Sequence, residues 1–240
     1  MITYPKIWKR NYGDMMPVNP IDNIDIPKIV EILTQVVVDM GVNHLAYSGG
    51  IDSTIMLCLM SRVYNDVSTY TISVREDHPD VKFAKSGSSF YGSTHHEFIV
   101  SPTITDTAQH GNDAVKQLFY KASSFTESMI CCDGIDEFMC GYYKHMEQQN
   151  RLKTYKWFLS NLLPGHLEPL DKNSGGVKVY LPYLNENIIS IFRNIPLDKK
   201  IDSDNRKKVV CEIAKYLNLP ESIISRNKYG FCDAFLKLDK

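Results

Sequence analysis

Long apolar runs are missing from the 240-residue sequence, so no helix is expected to span a bilayer, which takes about 20 apolar residues. An excess of one charge is missing too. Lysine and arginine number 27 against 28 aspartates and glutamates, a net charge of -1, which leaves no electrostatic footprint for nucleic acid or a membrane surface. The opening stretch MITYPKIWKRNYGD lacks the apolar core of a signal peptide. Cysteine is present at Cys58, Cys131, Cys132, Cys140, Cys211 and Cys232, but the spacing fits neither a disulfide framework nor a tetrahedral zinc site. Reduced thiols in a cytoplasm are expected, with a metal or redox group of Cys131, Cys132 and Cys140 as the alternative. Internal repeats, a low-complexity linker and the phosphate-binding pattern G-x-x-x-x-G-K-[ST] are all absent.

What is there reads as alternating strands and helices. Ile29, Leu33, Val36, Val37 and Met40 recur at helical spacing between Pro27 and Gly41. Strands are expected at 44–47, 68–74, 95–100 and 128–132. Helices are expected at 52–64, from Pro79 with fraying at its serines, at 103–122 and from about Asp136. Such alternation implies a parallel twisted sheet with helices on both faces, joined by right-handed crossovers. The first 24 residues read as an irregular arm. Beyond Arg151 the pattern turns helical, and KNSGGVKVYLPYL reads as a loop between two amphipathic helices.

The stretch HLAYSGGIDSTIML, 44–57, carries the strongest chemical signal. Glycines permit a tight turn and close approach of backbone N–H groups to a ligand. N–H groups converging at a helix N-terminus favour an anion, and Ser48 and Ser53 add hydroxyls. Asp52 beside such a cradle would repel phosphates unless a cation lies between, which points to Mg²⁺. A second acidic cluster, CCDGIDEFMCGYYKH at 131–145, follows another strand at the edge where open α/β sheets bind ligands. Asp52 and Asp136 would flank one Mg²⁺-pyrophosphate.

The first stretch resembles the PP-loop of the ATP pyrophosphatase superfamily. The second resembles S-G-E-G-x-D-E-x-x-x-G-Y of the asparagine synthase family. LPYLNENIISIFRNIPLDKK resembles that family's P-F-L-D segment, and LPESIISRNKYGFCDAF its R-x-K-x-x-F-S-D segment. The resemblance runs with gaps from about Gly41 to Ala234 and concerns the synthetase domain, without the glutaminase domain. It implies a Rossmann-like core of the adenine nucleotide alpha hydrolase type at 28–150. An N-terminal arm at 1–27 and a mainly helical lobe at 151–240 that completes the active site flank this core. It also implies a ligase that adenylates a carboxylate, aspartate or a related amino acid, for attack by ammonia or an amine, and that splits ATP to AMP and pyrophosphate.

On that reading Ser48, Gly49, Gly50 and Ser53 hold pyrophosphate, and Asp52 and Asp136 hold Mg²⁺. Ala46, Ile72 and Cys131 border the nucleotide. Lys228 stabilises the transition state with Arg226 in support. Asp133 and Glu137 bind the amine or handle protons. The sequence departs from the family at Cys131-Cys132-Asp133, in place of Ser-Gly-Glu, at Asn185, in place of aspartate, and at Cys232, in place of serine. A chain that begins Met1-Ile2 leaves no room for an N-terminal glutaminase, so the nitrogen is expected from ammonia, an amine or a separate glutaminase partner. A homodimer stays open. Tyr142 reads as packing, and Trp157, Phe158 and Leu162 as lobe core. His95 and His96 should face opposite sides of a strand. Residues 205–210 read as a solvated helix start. The competing functions are a PP-loop enzyme acting on nucleic acid, disfavoured by the neutral charge, and a degenerate nucleotide-binding module.

Overall fold

The computed structural model describes residues 1–106, 109–147 and 149–226. Six strands form one parallel sheet: β1 (Ile2–Tyr4), β2 (His44–Ala46), β3 (Ser68–Ser73), β4 (Thr94–Ile99), β5 (Ser128–Ile130) and β6 (Lys178–Tyr180). Their order is β1-β6-β5-β2-β3-β4. The chain enters at β2, runs outward through β3 to β4, then crosses back to β5 on the other side of β2. Connections therefore diverge between β2 and β5, where Leu45 pairs with Ile130. A parallel sheet opens a crevice beyond its strand ends at such a point.

Strands covered on both faces need apolar residues throughout. Leu45, Met129, Ile130 and Val179 are accordingly buried. The helices are α1 (Ile26–Met40), α2 (Ile51–Val63), α3 (Pro79–Tyr91), α4 (His110–Ala122), α5 (Ile135–Phe138), α6 (Lys144–Glu147), α7 (Arg151–Leu162), α8 (Glu168–Asn173), α9 (Glu186–Asn194), α10 (Leu197–Lys200), α11 (Lys208–Tyr216) and α12 (Glu221–Ile224). α1, α2, α3, α9 and α11 pack on one another in one layer, while α4 crosses β3 and meets α8 in the other. The α1 boundaries follow the sequence signals. Asp25 caps the start through the Lys28 N–H, and Gly41 ends it at φ +62°. Among the described residues no helix is long and apolar enough to cross a membrane.

Several expectations need correction. The N-terminal arm contributes edge strand β1, and the loop expected at KNSGGVKVYLPYL, 172–184, contributes β6. Both are three-residue strands, no shorter than β2 and β5, but they lie outside the run of alternating strands and helices that made those two legible. α3 keeps its helix through the serines because Ser88 is buried and bonded to Ser93. The helix expected from 103 begins at His110. Phe158 and Leu162 join the core, but Trp157 is 56% exposed. His95 and His96 do diverge: His95 bonds Thr69 Oγ1 at 2.9 Å, and His96 stacks on Tyr70. α7 runs into α8 through a π-helical turn, Leu163–Leu167, that no sequence signal announced.

Lys200 is buried in the helical layer, donates to Tyr155 Oη at 2.8 Å and lies over that ring. Burial lowers its pKa from 10.5 to about 8. Below pH 8 the folded protein carries the full cost of that buried charge, about 3 kcal/mol. The cost fades as pH rises toward 10.5, since the native state then releases its proton before the unfolded chain does. Urea unfolding across this window should show wild type gaining stability relative to Lys200→Met. Parallel curves for the two proteins would refute the assignment.

Candidate active site

The crevice between β2 and β5 holds a cavity of about 530 Å³. One wall is the turn between β2 and α2. Ser48 Oγ accepts from Gly50 N at 3.2 Å, and Ser53 Oγ donates to Gly50 O at 3.2 Å. Gly50 is the N-cap of α2, and as a glycine it has no side chain with which to cap that helix. The first N–H groups of a 13-residue helix are therefore left to the cavity, with the positive end of its dipole. Gly49 sits at φ +66°, where a Cβ would lie 2.4 Å from the Ala84 nitrogen. The turn is thus built from backbone packed directly on α3.

Beside the turn, three segments bring their charges together. Asp52 stands in the first turn of α2, Asp136 in α5, and Lys207 immediately before α11. The Lys207 ammonium pairs with Asp52 Oδ2 and, at 2.6 Å, with Asp136 Oδ1. Its side chain is only 4% exposed. Burial alone would lower its pKa, but Asp136 and Asp52 outweigh burial and hold it above the ordinary lysine value. The solvated helix start expected at 205–210 is therefore wrong at this residue. Lysine is almost never fully buried unless paired, and here the pairing is double. Tyr183 steadies the same corner by donating to the Asp52 carbonyl at 2.8 Å. Asp52 Oδ1 is shielded from solvent and finds no hydrogen-bond partner among the described residues. Two carboxylates, one with an orphaned oxygen, beside a helix N-terminus suit Mg²⁺, which binds through one or two carboxylates plus substrate phosphates. Among the described residues no larger cluster of metal ligands exists.

The turn after β5 forms the far end. Gly134, at φ +96°, starts α5 and sends Glu137 inward. Glu137 is buried, accepts from Tyr142 Oη at 2.7 Å and lies 3.7 Å from His166 Nε2. Burial pushes its carboxyl up, against the pull of His166. Tyr142 also stacks on Phe158 at 4.4 Å, so it packs and points a donor into the site. Asp133 and Cys132 line the cavity beside them. Burial, then neighbouring carboxylates, pushes the Cys131 and Cys132 thiols well up, which makes them poor nucleophiles.

Of the residues singled out in the sequence, Ala46, Ser48, Gly50, Asp52, Ser53, Cys131, Asp133, Asp136, Glu137 and Arg226 line this one cavity. Gly49 shapes the turn but faces α3. Ile72 is buried in β3 and takes no part in the cavity wall. Arg226 pairs with Asp80 of α3, donates to the Ser48 carbonyl at 3.3 Å and lies over the Phe83 ring. Lys228 and Cys232 lie outside the described residues. Asn185 caps α9 through Asn187 N and Ile188 N, work that an aspartate there would also do. Sequence reasoning missed Lys207, Asp80, His166 and the apolar wall of Val115, Leu118 and Phe119 on α4. Helical periodicity could have found the α4 wall. Asp80 was visible as an acid in the first turn of the Pro79 helix.

The chain is similar to known proteins in sequence and in fold. The family model described as asparagine synthase matches residues 45–167 and 144–238. Asparagine synthetase [glutamine-hydrolyzing] 1 of Lotus japonicus is 22% identical over 273 residues, 92% of this chain and 44% of that protein. The root enzyme of Pisum sativum gives 22% over 92% of this chain and 45% of its own length. The chain thus spans less than half of these curated relatives. Among solved structures, an NH3-dependent NAD synthetase from Campylobacter jejuni superposes with a TM-score of 0.51 at 16% identity, covering 88% of this chain and 81% of that one. An NMN synthetase from Francisella tularensis superposes at 0.50 and 16%, covering 86% and 75%. At such identity these two likenesses establish the fold alone.

Proposed function

Since the chain belongs to the asparagine synthase family, we propose that it is an ATP-dependent carbon–nitrogen ligase that releases AMP and pyrophosphate. One observation carries the reading: the N-terminus of α2, with Asp52 in its first turn, opens into the β2–β5 crevice beside Asp136. An anion cradle beside two carboxylates suits a metal-bound pyrophosphate.

A free carboxylate resists amines at neutral pH because its leaving group is poor. Its attack on the α-phosphorus of ATP expels pyrophosphate and gives an acyl-adenylate. The amine then attacks the acyl carbon, and AMP leaves. Ser48, Ser53 and the backbone of Gly49 and Gly50 hold the departing pyrophosphate. Mg²⁺, held by Asp52 and Asp136, would supply the positive charge that pyrophosphate needs. Ala46 and Cys131, with Val115, Leu118 and Phe119, form the slot for the base. Arg226 stiffens the turn through Asp80 and Ser48, and Lys228 stabilises charge on the reacting phosphorus. Asp133 and Glu137 hold the amine and take its proton, with Tyr142 and His166 orienting Glu137. The carboxylate is an amino acid such as aspartate. The nitrogen arrives as ammonia or an amine, from solution or from a glutaminase partner.

The test is to incubate the protein with ATP, Mg²⁺, ammonia and a panel of amino acids, and to separate the nucleotides. AMP release that depends on one carboxylate supports the reading, and ADP as product defeats it. With that acceptor in hand, Glu137→Gln should raise KM for the amine about tenfold or more while KM for ATP stays within about twofold. Equal effects on both substrates would remove Glu137 from the amine site.

A further inference from the structure

We propose that Lys207 is a resident counter-ion that occupies the place of the divalent cation between Asp52 and Asp136, and that metal enters only as the nucleotide draws the ammonium away. The inference rests on the ligase reading for the identity of the nucleotide, but its geometry stands on its own. Two carboxylates from different elements converge on one ammonium, and that ammonium is buried. Without it the pair would repel in a site closed to water. With it, a divalent ion would meet a positive charge at contact distance.

The position of Lys207 is specifically built. Its φ of 56° lies in the left-handed region, which a lysine adopts only at a cost of order 1 kcal/mol. Residue 141 is glycine, and a Cβ there would lie 2.4 Å from Lys207 Cε and still closer to Asp136 Oδ1. Arg206 ties the preceding residue down by donating to the Gly141 carbonyl at 2.6 Å and lying over the Tyr143 ring. Strained backbone, a glycine cleared for the stem and an anchored neighbour all hold the ammonium where it is. The nucleotide offers it an alternative partner. A triphosphate at the N-terminus of α2 brings more negative charge than the two carboxylates, and the orphaned Asp52 Oδ1 is then available to a metal. Metal and nucleotide would thus bind with positive coupling, each favouring the other's entry.

The test is a titration with Mn²⁺ as probe, followed by electron paramagnetic resonance, on the full chain without nucleotide. Lys207→Met should bind Mn²⁺ about tenfold or more tightly than wild type, and adding Asp52→Asn to that variant should abolish the gain. A non-cleavable ATP analogue should tighten Mn²⁺ binding to wild type about tenfold more than binding to Lys207→Met. A folded Lys207→Met, judged by circular dichroism, that binds Mn²⁺ no more tightly than wild type would overturn the proposal. Should the variant not fold, Lys207→Gln, which keeps a donor on a shorter uncharged stem, takes its place, and the same two outcomes decide. The titration needs no turnover, so a chain that made no AMP would still return one answer or the other.

Discussion

Asp52→Asn is expected to lower kcat/KM for ATP by about a thousandfold or more, near 4 kcal/mol of transition-state stabilisation. Asparagine keeps the shape of the side chain and removes its charge. The loss falls on the atom best placed to meet a metal, since Asp52 Oδ1 has no other partner among the described residues. The fold should survive. Lys207 keeps Asp136, and Tyr183 still donates to the Asp52 carbonyl, which the substitution leaves alone. Breaking a buried ion pair outright costs about 3–5 kcal/mol, whereas here one of two partners remains, so about 1–2 kcal/mol of stability is expected to go. Steady-state kinetics beside a thermal melt separates the two effects. A variant that melts far below wild type would assign Asp52 to stability, and one that keeps its activity would remove it from the site.

Gly49→Ala should cost about 3 kcal/mol of stability and abolish nucleotide binding. Two terms add. At φ +66° an L side chain strains the backbone by about 1–2 kcal/mol. The new methyl would also lie 2.4 Å from Ala84 N and 2.6 Å from Phe83 C, both backbone atoms of α3 that cannot step aside. Gly41→Ala isolates the first term, because Gly41 has a similar φ of +62° and nothing within 4 Å. The midpoint should drop by about 10 °C for Gly49→Ala and by about half of that for Gly41→Ala. Equal drops would mean that the α2 turn does not rest on α3 as described.

The chemistry that was legible in the sequence is local chemistry. A glycine turn between an apolar strand and an apolar helix announces an anion site within a few residues, and an acid in that turn implies a cation. Asp136 was legible for the same reason, as an acid following a strand and a glycine. Lys207 was not. A lysine in a run of basic residues before an amphipathic helix is normally solvated, and its burial follows only from Asp52, 155 residues away, and Asp136 arriving beside it. His166 was hidden likewise, on a π-helical turn that no spacing rule marks. In the fold, the strands flanked by long helices could be read, and β1 and β6 could not. β2 and β5 are equally short but stand within the strand–helix alternation, whereas β1 and β6 are placed by the sheet edge they complete. Trp157 shows the converse error. It matched the spacing of a buried face but lies one position off it, on the solvent side of α7.

The most direct measurement follows an oxygen atom. The acceptor amino acid found to support AMP release should be labelled with ¹⁸O in its carboxylate and turned over with ATP, Mg²⁺ and ammonia. Attack of that carboxylate on the α-phosphorus places one ¹⁸O in AMP, read by mass spectrometry, and leaves pyrophosphate unlabelled. Label in a released phosphate or pyrophosphate, or AMP without label, would contradict adenylation of the acceptor and with it the role given to the crevice between β2 and β5.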